Sequence, residues 1–347
     1  MEIQVLSNNY LVKGFPFIFM VFIFGCASSP TLNLIEKDFN VKSQKVIWFQ
    51  IPGFSESHLS LLKFSGNKPS HKLSFEKSHC IGKTWRYNLF KLRPAPFEGF
   101  MTQMTGRTSV KSRCSDFDKK PFWSYLKIKN SNVGVFERGE DGFSSENMFT
   151  QCPVSKSSLQ KDVFYWFSNK NFKNANSKGF HFLEQGPFPK TGAYFDRACN
   201  SKFCDSTLLG NVKSLFRRWS VGKKSYVFII RDFNYLKAIR NKKILDVRNL
   251  LFELEESYSF FLSQMEEDKD MLVIFSGSSP LNFEFPQSGK KWFQFEKNGR
   301  NVVYRRESLM SPIIATGASS ENFCGIYHEA GIFKRLLIAM GFKKEPE

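Results

Sequence analysis

The chain has 347 residues, of which 41% are hydrophobic and 40 are phenylalanine. This composition is that of a globular protein and excludes a disordered or fibrous chain. The 50 lysines and arginines outnumber the 32 acidic residues, and the net charge of +18 favours anionic partners. The basic residues are scattered, and the sequence has neither zinc-finger spacing nor an RNA-binding aromatic motif, so we expect no nucleic-acid partner.

The first distinctive segment is an apolar run near the N-terminus. Lys13 precedes GFPFIFMVFIFGC, about a dozen apolar residues, which is too short to span a membrane and typical of a signal-peptide core. The run ends in IFGC at Cys26, which resembles a bacterial lipoprotein cleavage site. We therefore expect residues 1–25 to be a signal peptide and Cys26 to carry a lipid. This lipid would anchor the chain to a membrane of the bacterial cell envelope, on its periplasmic or outer-membrane face. A plain secretory signal and an uncleaved membrane anchor are the alternatives.

The cysteines fit an exported protein. Besides Cys26 there are six, and an even number in an oxidising compartment indicates disulfides. Cys199 and Cys204 are spaced to close a small loop. The other four allow three pairings, among which the sequence does not choose: Cys80, Cys114, Cys152 and Cys324. Cys324 also lies near His328, so a cysteine–histidine nucleophile is an alternative to a disulfide there.

Residues 26–44 are polar and predict a tether, after which strands and helices alternate. Apolar runs ended by proline, glycine or charge predict strands at 45–53, 131–137, 162–167, 226–232 and 271–275, and further strands in NVVYRRE and PIIATG. Helical spacing predicts helices in SESHLSLLKF, over 242–265 and in GIFKRLLIAMG. Strand–helix–strand units with short joins indicate parallel crossovers. We predict an α/β fold with three α/β/α layers and a mostly parallel central sheet, in a single domain over 45–342. Its residues 168–206 should form an irregular insertion.

Four segments, in this order, resemble the alkaline phosphatase and sulfatase superfamily. They begin with VIWFQIPGFSES, FMTQMTGRTSV, YVFIIRDFNYLKAIRN and RRESLMSPIIATG, and the resemblance covers residues 45–160 and 225–342. It implies an alkaline phosphatase-like fold. In an active member it also implies a serine, threonine or modified cysteine nucleophile beside two divalent metals, often zinc, held by aspartates and histidines.

The positions that match the family's functional residues hold other side chains. Pro52 stands before Gly53, where the resemblance requires an acid. The nucleophile should lie near Pro96, but residues 85–101 contain no serine, threonine or cysteine. Gly277-Ser278 replaces an aspartate–histidine pair, and no histidine lies between residues 182 and 327. The resemblance therefore implies a member without the nucleophile, the metal ligands or a cofactor.

In the third segment the matched metal-ligand positions hold Arg231 or Asp232, then Leu236 or Lys237, then Arg240 or Asn241, and the last one lies near Arg306. Arg240 and Arg306 therefore stand at two of these positions in one of the possible alignments. Arginine binds phosphate or sulfate through a planar fork of donors. We therefore predict a catalytically inactive binding or envelope-structural module that holds an anionic small molecule or glycan. The candidate anion pocket consists of Arg231, Asp232, Arg240, Gly277, Ser278 and Arg306. In the alternative, the arginines pair with local acids such as Asp232 and Glu307, and the pocket is filled.

Two further hypotheses stay open at this stage. The chain is an active phosphoric or sulfuric ester hydrolase if Asp232, Glu98, Glu137 or Glu284 binds a hard cation such as Mg²⁺, which prefers oxygen ligands; zinc or magnesium would then be the cofactor. Or it is an unrelated α/β protein, in which case strands 46–51, 227–231 and 271–275 would not be neighbours in one parallel sheet.

Overall fold

A computed structural model describes residues 42–65, 72–111, 116, 120–139, 145, 163–168, 180–183, 192–196 and 207–342. The proposed lipid site at Cys26 and the proposed Cys199–Cys204 pair lie outside these residues. The strands are β1 (Lys45–Pro52), β2 (Cys80–Trp85), β3 (Asn132–Arg138), β4 (Val163–Ser168), β5 (Phe180–Leu183), β6 (Gly192–Asp196), β7 (Tyr226–Asp232), β8 (Met271–Ser278), β9 (Leu281–Glu284), β10 (Val303–Glu307), β11 (Met310–Gly317) and β12 (Gly325–His328).

The helices are α1 (Glu56–Phe64), α2 (Pro96–Thr105), α3 (Phe122–Leu126), α4 (Leu208–Trp219), α5 (Phe233–Arg240), α6 (Ile244–Glu267), α7 (Gly289–Asn298) and α8 (Gly331–Ala339). Short 3₁₀ turns lie at Ser74–Lys77, Lys127–Lys129 and Ser320–Phe323. None of the helices in the described ranges is long and apolar enough to cross a bilayer.

Ten of the described strands form one sheet in the order β12-β2-β11-β8-β1-β7-β3-β4-β6-β5, and β9 pairs with β10 in a separate antiparallel ribbon. Within the large sheet only β11 runs against its neighbours, β8 and β2. The predicted strands 271–275, 46–51 and 227–231 are adjacent and parallel, as β8, β1 and β7. This adjacency excludes the hypothesis of an unrelated α/β protein, in which the three strands would not be neighbours.

The hydrophobic core lies on both faces of the sheet, because side chains alternate along each buried strand. On β1, Val46 and Trp48 belong to one cluster and Ile47 and Phe49 to the other. The first cluster is covered by α2, α3 and α8, and the second by α1, α4, α5 and α6. The three-layer α/β/α prediction is therefore confirmed.

Two elements differ from the sequence-based expectation. The strand predicted over 271–275 continues to Ser278, because β1 pairs with it as far as the Pro52–Ser278 register position. The segment 168–206, expected to be irregular, contributes β5 and β6, which extend the sheet beyond β4 in parallel register.

A disulfide joins Cys80, at the start of β2, to Cys324, just before β12. The half-cystines are 244 residues apart in sequence, and the bond ties these two neighbouring strands together. It selects one of the pairings that the sequence left open. Because the Cys324 sulfur is bonded in this way, the cysteine–histidine nucleophile is excluded.

Candidate functional site

The candidate site lies where neighbouring parallel strands end. Arg231 and Asp232 end β7, Gly277 and Ser278 approach the end of β8, and β1 runs between these strands. In open α/β sheets, ligands bind outside the carboxyl ends of the strands. The structure therefore brings four of the six predicted pocket residues to the edge at which a site is expected.

The last two residues of β3 and of β7 are charged, in opposite order: an acid and then an arginine on β3, an arginine and then an acid on β7. Glu137 lies beside Arg231 in the sheet register, and Arg138 lies beside Asp232. Successive side chains of a strand point to opposite faces, so each face receives one ion pair. Arg231 contacts Glu137, and Arg138 Nη2 lies 2.6 Å from Asp232 Oδ2. All four side chains are buried.

The Arg231–Glu137 pair is surrounded by further polar groups. Arg231 Nε donates a 2.8 Å hydrogen bond to Gln50 Oε1, and its guanidinium lies 3.8 Å from the ring centroid of Phe100. Ser145 donates from its backbone nitrogen to Glu137 Oε2 (2.8 Å) and from its hydroxyl to Oε1 (2.6 Å). Both carboxylate oxygens of Glu137 are therefore occupied by donors of the chain itself.

The Arg138–Asp232 pair connects the sheet to two helices. Asp232 is the N-cap of α5, and its Oδ1 accepts from the backbone nitrogens of Asn234 (3.0 Å) and Tyr235 (3.4 Å). Arg138 Nη1 also bonds Glu253 of α6 at 2.7 Å. Burial by itself would lower the pKa of Arg138, but the Asp232 and Glu253 carboxylates outweigh it and raise that pKa. The guanidinium thus stays charged and joins β3 to α5 and α6.

A second group of buried polar side chains lies where the end of β8 meets the first turns of α2. A Cβ placed on Gly99 would lie 3.5 Å from Ser278 Cβ and 3.4 Å from Glu329 Oε2, so these side chains flank the glycine. Gln103 donates to Glu329 Oε2 at 3.2 Å and accepts from Gln50 Nε2 at 3.3 Å. Gln50 and Gln103 therefore link this group to Arg231.

Three atoms of this second group lack a hydrogen-bond partner among the described residues: Ser278 Oγ, Thr102 Oγ1 and Glu329 Oε1. Burial raises the pKa of Glu329 to about 7, although the charge of Arg86 and the hydrogen bond from Gln103 act in the opposite direction. Near neutral pH the carboxyl of Glu329 therefore exists in both protonation states.

The other two predicted pocket residues lie elsewhere. Arg240 is exposed at the C-terminal end of α5, and Arg306 lies on β10 of the separate ribbon. The acids proposed as metal ligands also have partners, since Glu98 accepts from Ala95 N at the start of α2 and Glu284 pairs with Arg305.

His58, on α1, is a packed structural residue. Its Nε2 lies 2.8 Å from the Leu281 carbonyl oxygen, and its ring stacks on Phe283. Burial lowers the pKa of His58 to about 3, although the bond to Leu281 opposes this shift. The imidazole is therefore neutral at physiological pH.

Solved alkaline phosphatases match this architecture over most of its length. The enzyme from the Antarctic bacterium TAB5 superposes with a TM-score of 0.68 at 14% sequence identity, covering 87% of this chain and 99% of that one. The cold-active enzyme from a psychrophilic Shewanella gives 0.64 at 10% identity, with 86% and 100% covered. The Thermus thermophilus enzyme gives 0.60 at 11% identity, with 88% and 93% covered.

The chain has an alkaline phosphatase-like fold. No protein-family model matches the sequence, and no curated protein matches it either. At sequence identities this low, the similarity to these enzymes shows a shared fold only. The chemistry that this chain can perform depends on its own residues at the carboxyl edge of the sheet.

Those residues do not fit the divalent metal pair that the resemblance implies. Glu137 and Asp232 each bind an arginine, and a guanidinium in contact with a carboxylate repels a divalent cation from it. No group of three or more histidine, cysteine, aspartate or glutamate side chains suited to a metal ion occurs within the described ranges. The carboxylates of Glu137 and Asp232 serve ion pairs with arginines.

The ion-pair partners differ from those expected from the sequence. Asp232 was expected to pair with Arg240 or Arg306, whereas it binds Arg138. Arg231 binds Glu137, which was not among the expected partners. Glu137 ends one predicted strand and Arg138 follows it, while Arg231 and Asp232 end another, so both pairs could have been considered from the sequence. No local sequence pattern marks Glu329. It follows β12, which lies on the far side of the antiparallel strand β11 from β8.

Proposed function

We propose that this chain is an exported lipoprotein whose alkaline phosphatase-like domain does not catalyse ester hydrolysis and acts as a binding or structural module of the cell envelope. The observation that carries the proposal is the pair of buried, crossed ion pairs at the carboxyl edge of the sheet. A hydrolase of this fold needs positive charge from metals at this edge. Here arginine guanidinium groups supply positive charge, and glutamate and aspartate neutralise it.

The anion-binding part of the proposal rests on residues outside this buried network. Arg231 would have to give up Glu137 to bind phosphate or sulfate, which would leave a buried carboxylate without its counter-ion. A groove of about 360 Å³ between α5 and α6 is lined by two lysines, three asparagines and one acid: Lys237, Lys243, Asn234, Asn241, Asn249 and Asp246. Asp246 lies 4.0 Å from Lys243 in an exposed pair, so Lys237 is the lysine of the groove that we expect to contribute most to anion binding. Arg240 lies on the same helix, α5. We place the contact with an anionic group in this groove.

The absence of catalysis is tested on the full chain, purified without chelators. We expect no stoichiometric zinc or magnesium by elemental analysis, and no turnover of p-nitrophenyl phosphate or p-nitrophenyl sulfate with either metal added. Calorimetric titration of inorganic phosphate and sulfate should show weak binding that Lys237→Gln/Lys243→Gln abolishes. A lack of binding would remove the anion proposal alone.

A matched pair of variants separates true turnover from a contaminant. Ser278→Ala changes the end of β8, whereas Ser288→Ala changes an exposed serine before α7. Chelator-sensitive turnover that disappears in Ser278→Ala and persists in Ser288→Ala would contradict the proposal. It would establish the alternative, a metal-dependent ester hydrolase.

The lipoprotein part is tested by mass spectrometry of the chain recovered from bacterial membranes. Because the cleavage-site pattern ends at Cys26, we expect the mature chain to begin at that residue and to carry the additional mass of a lipid. The Cys26→Ser variant should lack this mass. A mature chain that begins at another residue would contradict this assignment.

A further inference from the structure

A loop at the candidate-site edge exposes a cluster of large apolar side chains. Trp85 ends β2, and the loop leading to α2 presents Tyr87, Leu89, Phe90 and Leu92. Their exposed fractions are 40% for Trp85, 46% for Tyr87, 70% for Leu89, 49% for Phe90 and 59% for Leu92. Scattered apolar residues are normal on a surface, but a contiguous group indicates an interaction site.

The polar groups of this loop face inwards and hold it in place. Asn88 Oδ1 accepts from the backbone nitrogens of Phe90 (2.8 Å) and Lys91 (2.7 Å), and Asn88 Nδ2 donates to the Val110 carbonyl at 3.1 Å. The Leu89 nitrogen donates to the Thr108 carbonyl at 2.9 Å. Hydrogen bonds from the Asn88 side chain and the Leu89 backbone therefore hold the loop in place, while its large apolar side chains are exposed.

The charge around these apolar residues is basic. Between residues 80 and 111 the chain has one acidic residue, Glu98, which is buried and bonds Lys91. Asp116, which accepts from the Lys111 backbone nitrogen at 2.8 Å, is also buried. Lys91, Arg93 and Lys111 are exposed, and Lys111 Nζ lies 4.0 Å from the centre of the Phe90 ring. Exposed cations around protruding apolar groups complement an anionic surface.

We propose that residues 85–92 form a docking surface for an anionic phospholipid bilayer. Tryptophan and tyrosine favour the level of the headgroups, leucine and phenylalanine insert at the acyl boundary, and lysine and arginine attract anionic headgroups. Trp85, Tyr87 and Leu92, with Leu309, also line a groove of about 300 Å³ that would take acyl carbon atoms. The proposal does not depend on lipidation of Cys26 or on the absence of catalysis.

The test compares the full chain in nanodiscs of phosphatidylcholine with the same chain in discs that contain about 30% phosphatidylglycerol. The neutral disc controls for association through the N-terminal segment, whether by its apolar residues 14–25 or, after cleavage, by a lipid on Cys26. Each cation at an anionic surface strengthens association about fivefold, so amide exchange over residues 85–92 should be at least about fivefold slower in the anionic discs. High salt should remove the difference.

The double variant Leu89→Ser/Phe90→Ser should also remove the difference without changing the melting temperature, because both side chains are exposed. Ile128→Ser is the matched control, since Ile128 is an exposed apolar residue between two lysines on the 3₁₀ turn after α3. Equal exchange in both kinds of disc would overturn the proposal, as would protection that survives the double variant. Protection that requires an added soluble protein would assign the surface to a protein partner instead.

Discussion

Glu137→Leu is expected to destabilise the fold by about 3–5 kcal/mol, because it leaves the guanidinium of Arg231 buried without its counter-ion. The same replacement removes the acceptor of both Ser145 hydrogen bonds. The measurement is the free energy of unfolding from denaturant titration near neutral pH. This is the largest effect we expect from a single side chain at the candidate site.

The double variant Arg231→Met/Glu137→Leu should recover most of that loss. Replacing both members of a buried ion pair with apolar side chains removes the desolvation cost together with the attraction. Gln50 then loses its donor Arg231 and Ser145 still lacks its acceptor Glu137, so we expect the double variant to remain less stable than the wild type, by about 2 kcal/mol. Together with the single variants Glu137→Leu and Arg231→Met, the double variant forms a double-mutant cycle, which separates the interaction energy of the pair from that of the surrounding hydrogen bonds.

Glu284→Gln serves as the control, because Glu284 forms an exposed ion pair with Arg305 and should show no measurable change. If Glu137→Leu left stability unchanged and instead altered ligand binding, the pair would have a functional role and the filled-site proposal would fail. A double variant less stable than either single variant would also contradict it.

The central strands could be predicted from sequence because each is a nearly continuous apolar run. β1, β7 and β8 are buried on both faces, and such strands interrupt their hydrophobic pattern only at the ends. β2 was missed because its apolar residues Ile81 and Trp85 face outwards while Thr84 is buried, so its residue types do not follow the apolar-inside alternation of a half-buried strand. β5 and β6 were missed because turn-forming residues surround them and their pairing partners are distant in sequence.

The candidate site was predictable only for residues whose position follows from the strand ends. Arg231, Asp232, Gly277 and Ser278 were placed at the correct edge for this reason. The pairing of Arg231 with Glu137 depends on the register between β7 and β3, two strands 94 residues apart at that point. Sequence patterns fix a strand but not its register against a distant partner.

Glu329→Gln is expected to change the pH dependence of stability more than any other conservative replacement in the second polar group. Burial raises the pKa of Glu329 from its ordinary 4.5 to about 7 in the folded state. Between these values the folded chain holds a proton that the unfolded chain has released. Stability contributed by this proton is fully present below pH 4.5 and is lost as the pH rises to about 7.

Glutamine keeps the acceptor for Gln103 and does not ionise, so the variant escapes this loss. We expect its free energy of unfolding, relative to the wild type, to rise from acid to neutral pH by about 3 kcal/mol. Denaturant titrations at several pH values measure this difference. Glu267→Gln, an equivalent change at an exposed position at the end of α6, should give a curve parallel to that of the wild type.

A flat difference between Glu329→Gln and the wild type would show that Glu329 is ionised at all these pH values. Its carboxylate would then need a counter-charge, which Arg86 can supply in part because its charge already lowers the pKa of Glu329. A rising difference instead identifies a carboxyl that is protonated at acid pH beside the end of β8, where the resemblance places an aspartate–histidine metal pair, and a divalent cation would have to displace this proton in order to bind.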